Sequence, residues 1–225
     1  MLRHLIFMAF LKSVLLFALT LSLAYAQTQN WVSVEPHDPQ DYYNSVAKEL
    51  LHNVEKYHLN QGITSMREGK NYNAWQDFDF ILRYFPNHPR GLQLMGELTL
   101  QVKAPPKGQI YFDRAIRLFP NSASNYATYG IFLHKQGKLQ QAIEQYKRSI
   151  ELNPNSASFN YNLGLAYYET KQLSLSNESA QRAYELGYPL PGLRNKLMKA
   201  GAWKQIEESP APQKEATSND PPKTP

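Results

Sequence analysis

An all-α chain built from repeated helix pairs is the fold class that three features of this sequence predict. The pentapeptide Pro-Asn-Ser-Ala-Ser stands at 120–124 and again at 154–158, with a looser copy, Pro-Asn-His-Pro-Arg, at 86–90. Pro86, Pro120 and Pro154 are therefore 34 residues apart. Gly62, Gly96, Gly130 and Gly164 keep the same interval, although glycine makes up only 11 of the 225 residues, and no insertion breaks the grid. A fixed period of about 20–50 residues marks a solenoid, in which each unit buries its apolar face only against its neighbours.

Composition sets the outer bounds. At 42% hydrophobic and 19% charged residues the chain fits a folded core. It contains no cysteine, which excludes disulfides, thiolate zinc sites and cysteine nucleophiles.

The first 26 residues differ in kind. Arg3 and Lys12 precede the apolar run Val14 to Leu23, and Ala24-Tyr25-Ala26 reads as a small-x-small cleavage site. The expectation is a signal peptide over 1–26, a mature chain from Gln27, and a body outside the cytosol, in the bacterial periplasm. An uncleaved membrane anchor is the alternative, with Lys12 interrupting the apolar stretch. Taking Arg3 and Lys12 from the 24 basic residues leaves 22 against 19 acids, a net charge of about +3. That surplus is too small and too dispersed to argue for nucleic acid.

A short leader (27–37) follows. Asp38-Pro39 then reads as a helix start, and Tyr42, Tyr43, Val46, Leu50, Leu51 and Val54 make an amphipathic face. Residues 38–54 are expected to form an N-terminal cap helix or half of a degenerate repeat.

The repeat itself is clearest in the set Tyr126, Tyr129-Gly130, Leu133, Gly137, Ala142, Tyr146 and Pro154. This pattern resembles the tetratricopeptide repeat, whose signature is aromatic-x2-Leu-Gly-x2-Tyr, then Ala-x3-Phe, then Pro. The resemblance covers about 136 residues and sets four units, at 55–88, 89–122, 123–156 and 157–190. It implies a right-handed α-solenoid of helix-turn-helix repeats with capping helices at the ends.

Each grid position has a physical task. A glycine inside a helix costs about 1 kcal/mol against alanine, so the four grid glycines point to first helices on which a second helix packs closely. Ala74 and Ala142 are the matching small residues on second helices, replaced by Gly108 and Ser176 in the other units. Phe78, Phe112 and Tyr146 fill the space between neighbouring units, whereas Ala180 departs from the pattern. Pro86, Pro120 and Pro154 close second helices, and the Asn or Ser that follows caps the next helix. Gly69 and Gly137 suit the turn inside a unit. "KAPPKG" and "TKQLS" stand there in the second and fourth units, which predicts less regular turns.

Beyond the last unit, Leu193, Leu197 and Met198 form an apolar stripe with Lys196 and Lys199 facing water. Residues 191–207 are expected to be the solvating C-terminal helix, and 208–225 a disordered Pro-rich tail. Arg194, Lys196, Lys199 and Lys204 could touch an anionic envelope surface, or simply keep the last helix soluble.

The resemblance also implies where partners lie. In the family, first helices line a concave groove that holds extended peptides or partner helices. Carried onto this chain, the groove presents Arg90, Gln93, Glu97 and Gln101 from the second unit. The third gives Thr128, Ile131, His134 and Lys135, and the fourth Tyr161, Asn162, Leu165 and Tyr168. Tyr161 and Tyr168 are the candidate anchors, because tyrosine offers large contact area with a polar tip. The competing reading is that they cover the exposed edge of the last repeat. The cationic clamp by which some members hold a C-terminal carboxylate is missing: Leu59, Ile63, Leu94, Ser124 and Thr128 occupy its positions in one register, and Gln93, Glu97, Thr128, Ser158 and Asn162 in the other.

No phosphate-binding loop, His-Glu-x-x-His helix or glycine elbow around a serine occurs. The six histidines are scattered, and Asp77 and Asp79, two apart on a helix, are expected on a solvated face. The sequence therefore predicts a non-catalytic interaction scaffold without metal or cofactor. It would bind a peptide or partner protein in its groove during envelope assembly. The alternative is an accessory subunit docking on a cell-wall, secretion or pilus enzyme through its convex face or terminal helices.

Overall fold

The computed structural model describes residues 39–204. The expected signal peptide, leader and Pro-rich tail lie outside the described residues, as do 205–207 of the expected C-terminal helix. The chain divides into two compact units, the break falling after Val102. Among the described residues both are helical and neither contains a strand. The repeat expected over 89–122 thus contributes one helix to each unit.

In the first unit, residues 39–44 are pinned before any helix begins. The Gln40 N–H donates to the Tyr84 carbonyl at 2.7 Å. Asn87 donates to Asp41 at 2.7 Å and accepts the Tyr42 N–H at 2.9 Å. The helix start expected at Asp38-Pro39 is therefore displaced to a 3-10 turn, Ser45–Ala47, capped by Asn44. Helix α1 (Lys48–Val54) then runs through a π-helical segment, Glu55–Leu59, into α2 (Asn60–Arg67). No break separates the expected cap helix from the first repeat. The amphipathic face is also corrected: Val54 is buried but Val46 is 88% exposed, and the buried stripe of the α1 region is Ala47 and Val54, seven residues apart.

Helix α3 (Asn71–Tyr84) supplies Ala74, Trp75, Phe78, Ile81 and Leu82 to the core, and α4 (Pro89–Gln101) adds Leu92, Met95 and Leu98. A Cβ on Gly62 would lie 2.5 Å from the Phe78 ring, so the α2–α3 approach requires glycine there. Asp77 and Asp79 are 5% and 2% exposed rather than solvated. Asp77 meets His58 Nδ1 at 2.9 Å and Asp79 pairs with Arg83 Nε at 2.7 Å. Residues two apart on a helix point apart, and here each direction is buried and separately paired.

His88 closes the joint before α4. Its Nδ1 accepts the Gly91 N–H at 2.9 Å, and its Nε2 faces Glu55 Oε1 at 2.9 Å. With Nδ1 accepting, the single ring proton sits on Nε2, and a second proton would have to displace the Gly91 bond. Burial holds the His88 pKa below its usual value, despite the raising influence of Glu55. A histidine kept neutral in the fold binds its proton first in the unfolded chain, so stability falls as pH drops below about 6.5. The urea midpoint of the first unit should therefore be lower at pH 5.5 than at pH 7.5, and His88→Gln should flatten that difference.

The second unit comprises α5 (Pro105–Leu118), α6 (Ala123–Lys135), α7 (Leu139–Leu152), α8 (Ala157–Glu169), α9 (Leu173–Glu185) and α10 (Gly192–Lys199). The pairs α6–α7 and α8–α9 pack most extensively, and α10 lies against α8 and α9. At Gly130 a Cβ would stand 2.5 Å from the Tyr146 ring, repeating the arrangement of Gly62 and Phe78. At Gly164 the neighbour is different, Leu193 of α10 at 2.7 Å. Ala180, one repeat on from Tyr146, is too small to reach that place. Helix α10 ends at Lys199, with Gly201 at φ 65°, so it does not run on through 201–204 as expected.

The joints bear out only half of the capping argument. Ser156 accepts the Phe159 N–H at 3.4 Å, but Ser122 makes no cap bond. Asn125 serves that joint instead, donating to the Ala115 and Phe119 carbonyls at 3.0 Å each.

The turns are more regular than their sequences. Gly69, Lys103, Gly137 and Lys171, each 34 residues from the next, have φ of 73°, 57°, 73° and 64°. The two lysines occupy the left-handed conformation that glycine adopts freely and other residues adopt at a cost of about 1–2 kcal/mol. Lys171→Gly should accordingly raise the thermal midpoint by about 1–4 °C, read by circular dichroism. An unchanged or lower midpoint would show that the lysine is unstrained.

Candidate functional site

The groove residues expected from the sequence fall on three helices. On α4 of the first unit, Arg90 and Gln101 are exposed. Gln101 donates to Asn71 at 3.3 Å, and the half-buried Gln93 donates to Glu97 at 3.1 Å. The remaining eight lie on α6 and α8 of the second unit.

On α6, Lys135 is exposed and Ile131 half-buried. Thr128 donates its hydroxyl to the Ser124 carbonyl at 2.7 Å and so is occupied within its own helix. His134 does something the sequence did not announce. Its Nε2 meets Glu169 Oε2 of α8 at 3.0 Å, while its Nδ1 lies 3.4 Å from the Tyr146 hydroxyl. Both ring nitrogens are engaged within the protein, and the contact ties two successive first helices side by side. The signal available was spacing: 134 and 169 are one period plus one residue apart.

On α8 the expectation for Tyr161 has to be corrected. It is only 8% exposed and stacks on Tyr188 at 3.9 Å between ring centroids. Leu193 and Leu197 of α10 join it in one core cluster, against which Leu165 and Tyr168 also pack. Burial, with Tyr184 and Tyr188 alongside, raises the Tyr161 phenol pKa and keeps it neutral. Tyr161 is thus the socket of the capping helix and cannot anchor a partner while that helix is seated. Tyr168 is half-buried, with Lys171 and Lys196 over its ring at 5.9 and 5.4 Å. Asn162 is half-buried.

In the second unit the set left accessible is Ile131, Lys135, Asn162 and part of Tyr168. It offers one apolar contact, one cation, one amide and one amphipathic ring, which is a recognition surface rather than a reaction centre. Among the described residues no three His, Asp or Glu side chains group as metal ligands. Nor is any described helix long and apolar enough to cross a membrane.

A family model described as "TPR repeat" matches residues 130–171, and one described as "Tetratricopeptide repeat" matches 111–144. Among solved structures the chain is similar to PilF of Pseudomonas aeruginosa, at 16% identity over 67% of this chain and 71% of that one, with a TM-score of 0.53. It is also similar to MamA, at 18% identity over 68% of this chain and 85% of that one, with a TM-score of 0.50. At such identities the likeness carries the fold alone. No curated protein matches the chain.

Proposed function

Because the chain is a tetratricopeptide-repeat protein, we propose that it is a non-catalytic scaffold that holds a peptide or partner protein against α6 and α8 during assembly in the cell envelope. The observation that carries this reading is the His134–Glu169 contact at 3.0 Å. It ties α6, which carries Ile131 and Lys135, to α8, which carries Asn162, and the seam in this reading runs between these two helices. An extended segment could place an apolar side chain on Ile131, a carboxylate near Lys135 and a backbone amide on Asn162. The envelope setting rests on the apolar run and cleavage-like triplet over 14–26.

A second reading has its own support. Ile110 and Leu175, on the second helices α5 and α9, are 61% and 40% exposed, which is apolar surface that a docking enzyme could use.

Photo-crosslinking residues placed at 131 and 162, or at 110 and 175, separate the two in cells of the source organism. Crosslinks from 131 and 162 that fall about tenfold in a Lys135→Glu/Asn162→Ala background, equivalent to about 1.4 kcal/mol, would support the seam. Crosslinks from 110 and 175 alone would overturn it in favour of the second-helix face.

A further inference from the structure

The residues that close the second unit carry exposed cations and exposed apolar side chains side by side. From Leu186 to Lys204 there is no acidic residue, while Arg194, Lys196, Lys199 and Lys204 are all present and exposed. Within α10 only Leu193 and Leu197 are buried, so its whole outer arc is Arg194, Asn195, Lys196, Met198 and Lys199. Two large apolar side chains stand out among these cations, Leu190 and Met198, each 59% exposed.

Half-buried aromatic residues border the same arc. The Arg194 guanidinium lies 4.4 Å from the Tyr184 ring and 5.1 Å from that of Trp203. Tyr184, Arg194, Met198 and Trp203 line one open cleft of about 520 Å³, together with Gln181 and Glu185. Glu185, the acid that lines this cleft, is paired with Arg182 at 3.3 Å. Lys204 is held there as well, since Asn177 accepts its N–H at 3.2 Å and donates to its carbonyl at 2.8 Å.

Exposed aliphatics, Tyr and Trp at their edge and exposed cations around them are the composition of a surface that settles at a lipid headgroup layer. An acidic protein would be better matched by cations held in paired, geometrically fixed positions; here Arg194 and Lys196 rest on aromatic rings while Lys199 and Lys204 are exposed. We propose that the outer arc of α10, with Leu190, Met198 and the edge of Trp203, docks on a bilayer containing anionic phospholipid. The binding is peripheral and reversible, because each cation near such a surface contributes only about fivefold in partitioning.

Sedimentation of the full chain with vesicles tests this. Phosphatidylcholine alone is compared with phosphatidylcholine mixed with phosphatidylglycerol, at low salt and at about 1 M salt, where the Debye length is near 3 Å. Lys196→Gln/Lys199→Gln should lower partitioning onto the mixed vesicles about 25-fold, and Met198→Ser should lower it several-fold. All three side chains are exposed, and the Lys196 contact with the Tyr168 ring is a weak one at an exposed site, so the variants should stay folded, with the thermal midpoint of each measured alongside. The apolar run at 14–23 is common to every protein compared, and only the difference between wild type and variant is read. Equal partitioning of wild type and the double-lysine variant would overturn the proposal. So would insensitivity to phosphatidylglycerol, or no binding to the mixed vesicles in low salt.

Discussion

Replacing Tyr146 with alanine should cost about 3–5 kcal/mol of stability. The side chain is among the largest fully buried ones, and it fills the space over Gly130, where an added Cβ would stand 2.5 Å from its ring. Gly130→Ala should cost about 1–3 kcal/mol, because the ring is enclosed and cannot retreat. The sharper expectation concerns the pair. Combining Gly130→Ala with Tyr146→Leu removes the ring atoms that the new methyl would meet, so the two costs should fall short of additivity by about 0.5–3 kcal/mol. Urea unfolding followed by far-ultraviolet circular dichroism gives the three energies. Strict additivity would mean that glycine is not there for close approach. Tyr146 also lies 3.4 Å from His134 Nδ1, so Tyr146→Phe separates the loss of that contact from the loss of volume.

The repeat grid made most of this legible in advance. Gly62 with Phe78, and Gly130 with Tyr146, are contacts between neighbouring helices at fixed sequence separation, and a solenoid consists mainly of such contacts. The turns show the limit of reading composition alone. Lys103 and Lys171 replace glycine without altering the turn, because the backbone path is set by the packed helices on either side rather than by the turn residue. The π-helical segment Glu55–Leu59 left no mark in the apolar spacing, since helical periodicity does not reveal which hydrogen-bond register a short stretch adopts. Asp77 was misplaced for a related reason: its burial depends on His58, 19 residues away and off the grid.

The candidate site was less legible than the fold. Positions on first helices were assigned by repeat register, which supposes a neighbouring unit on both sides, as the repeat that carries Ile131 and Lys135 has. It fails for Tyr161 because the last repeat has no following unit, and α10 takes that place. Residues 191–204 follow no repeat, so nothing in the period could say that Leu193 and Leu197 descend on Tyr161.

That substitution of a cap for a repeat yields the second large expected effect. Leu193→Ala should cost about 2–5 kcal/mol, since the side chain is fully buried and its methyl stands 2.7 Å from where a Gly164 Cβ would be. In the earlier units that place belongs to Phe78 or Tyr146, and the equivalent Ala180 is too short to fill it. Ala180→Phe alone should therefore be destabilising by about 1–3 kcal/mol, because Leu193 already occupies the space. In the presence of Leu193→Ala the same Ala180→Phe should recover a large part of the lost stability, restoring the ring-over-glycine packing of the earlier repeats. The accessibility of Tyr161 to acrylamide quenching supplies an independent readout: it should rise in Leu193→Ala, as α10 loosens, whether or not Phe at 180 refills the core. Recovery of stability with Tyr161 still exposed would show that α10 acts as a lid bound to a self-sufficient repeat. If the double variant is no better than the sum of its parts, Leu193 does not stand in for the missing aromatic, and α10 is held by Leu197 and the Tyr161–Tyr188 stack instead.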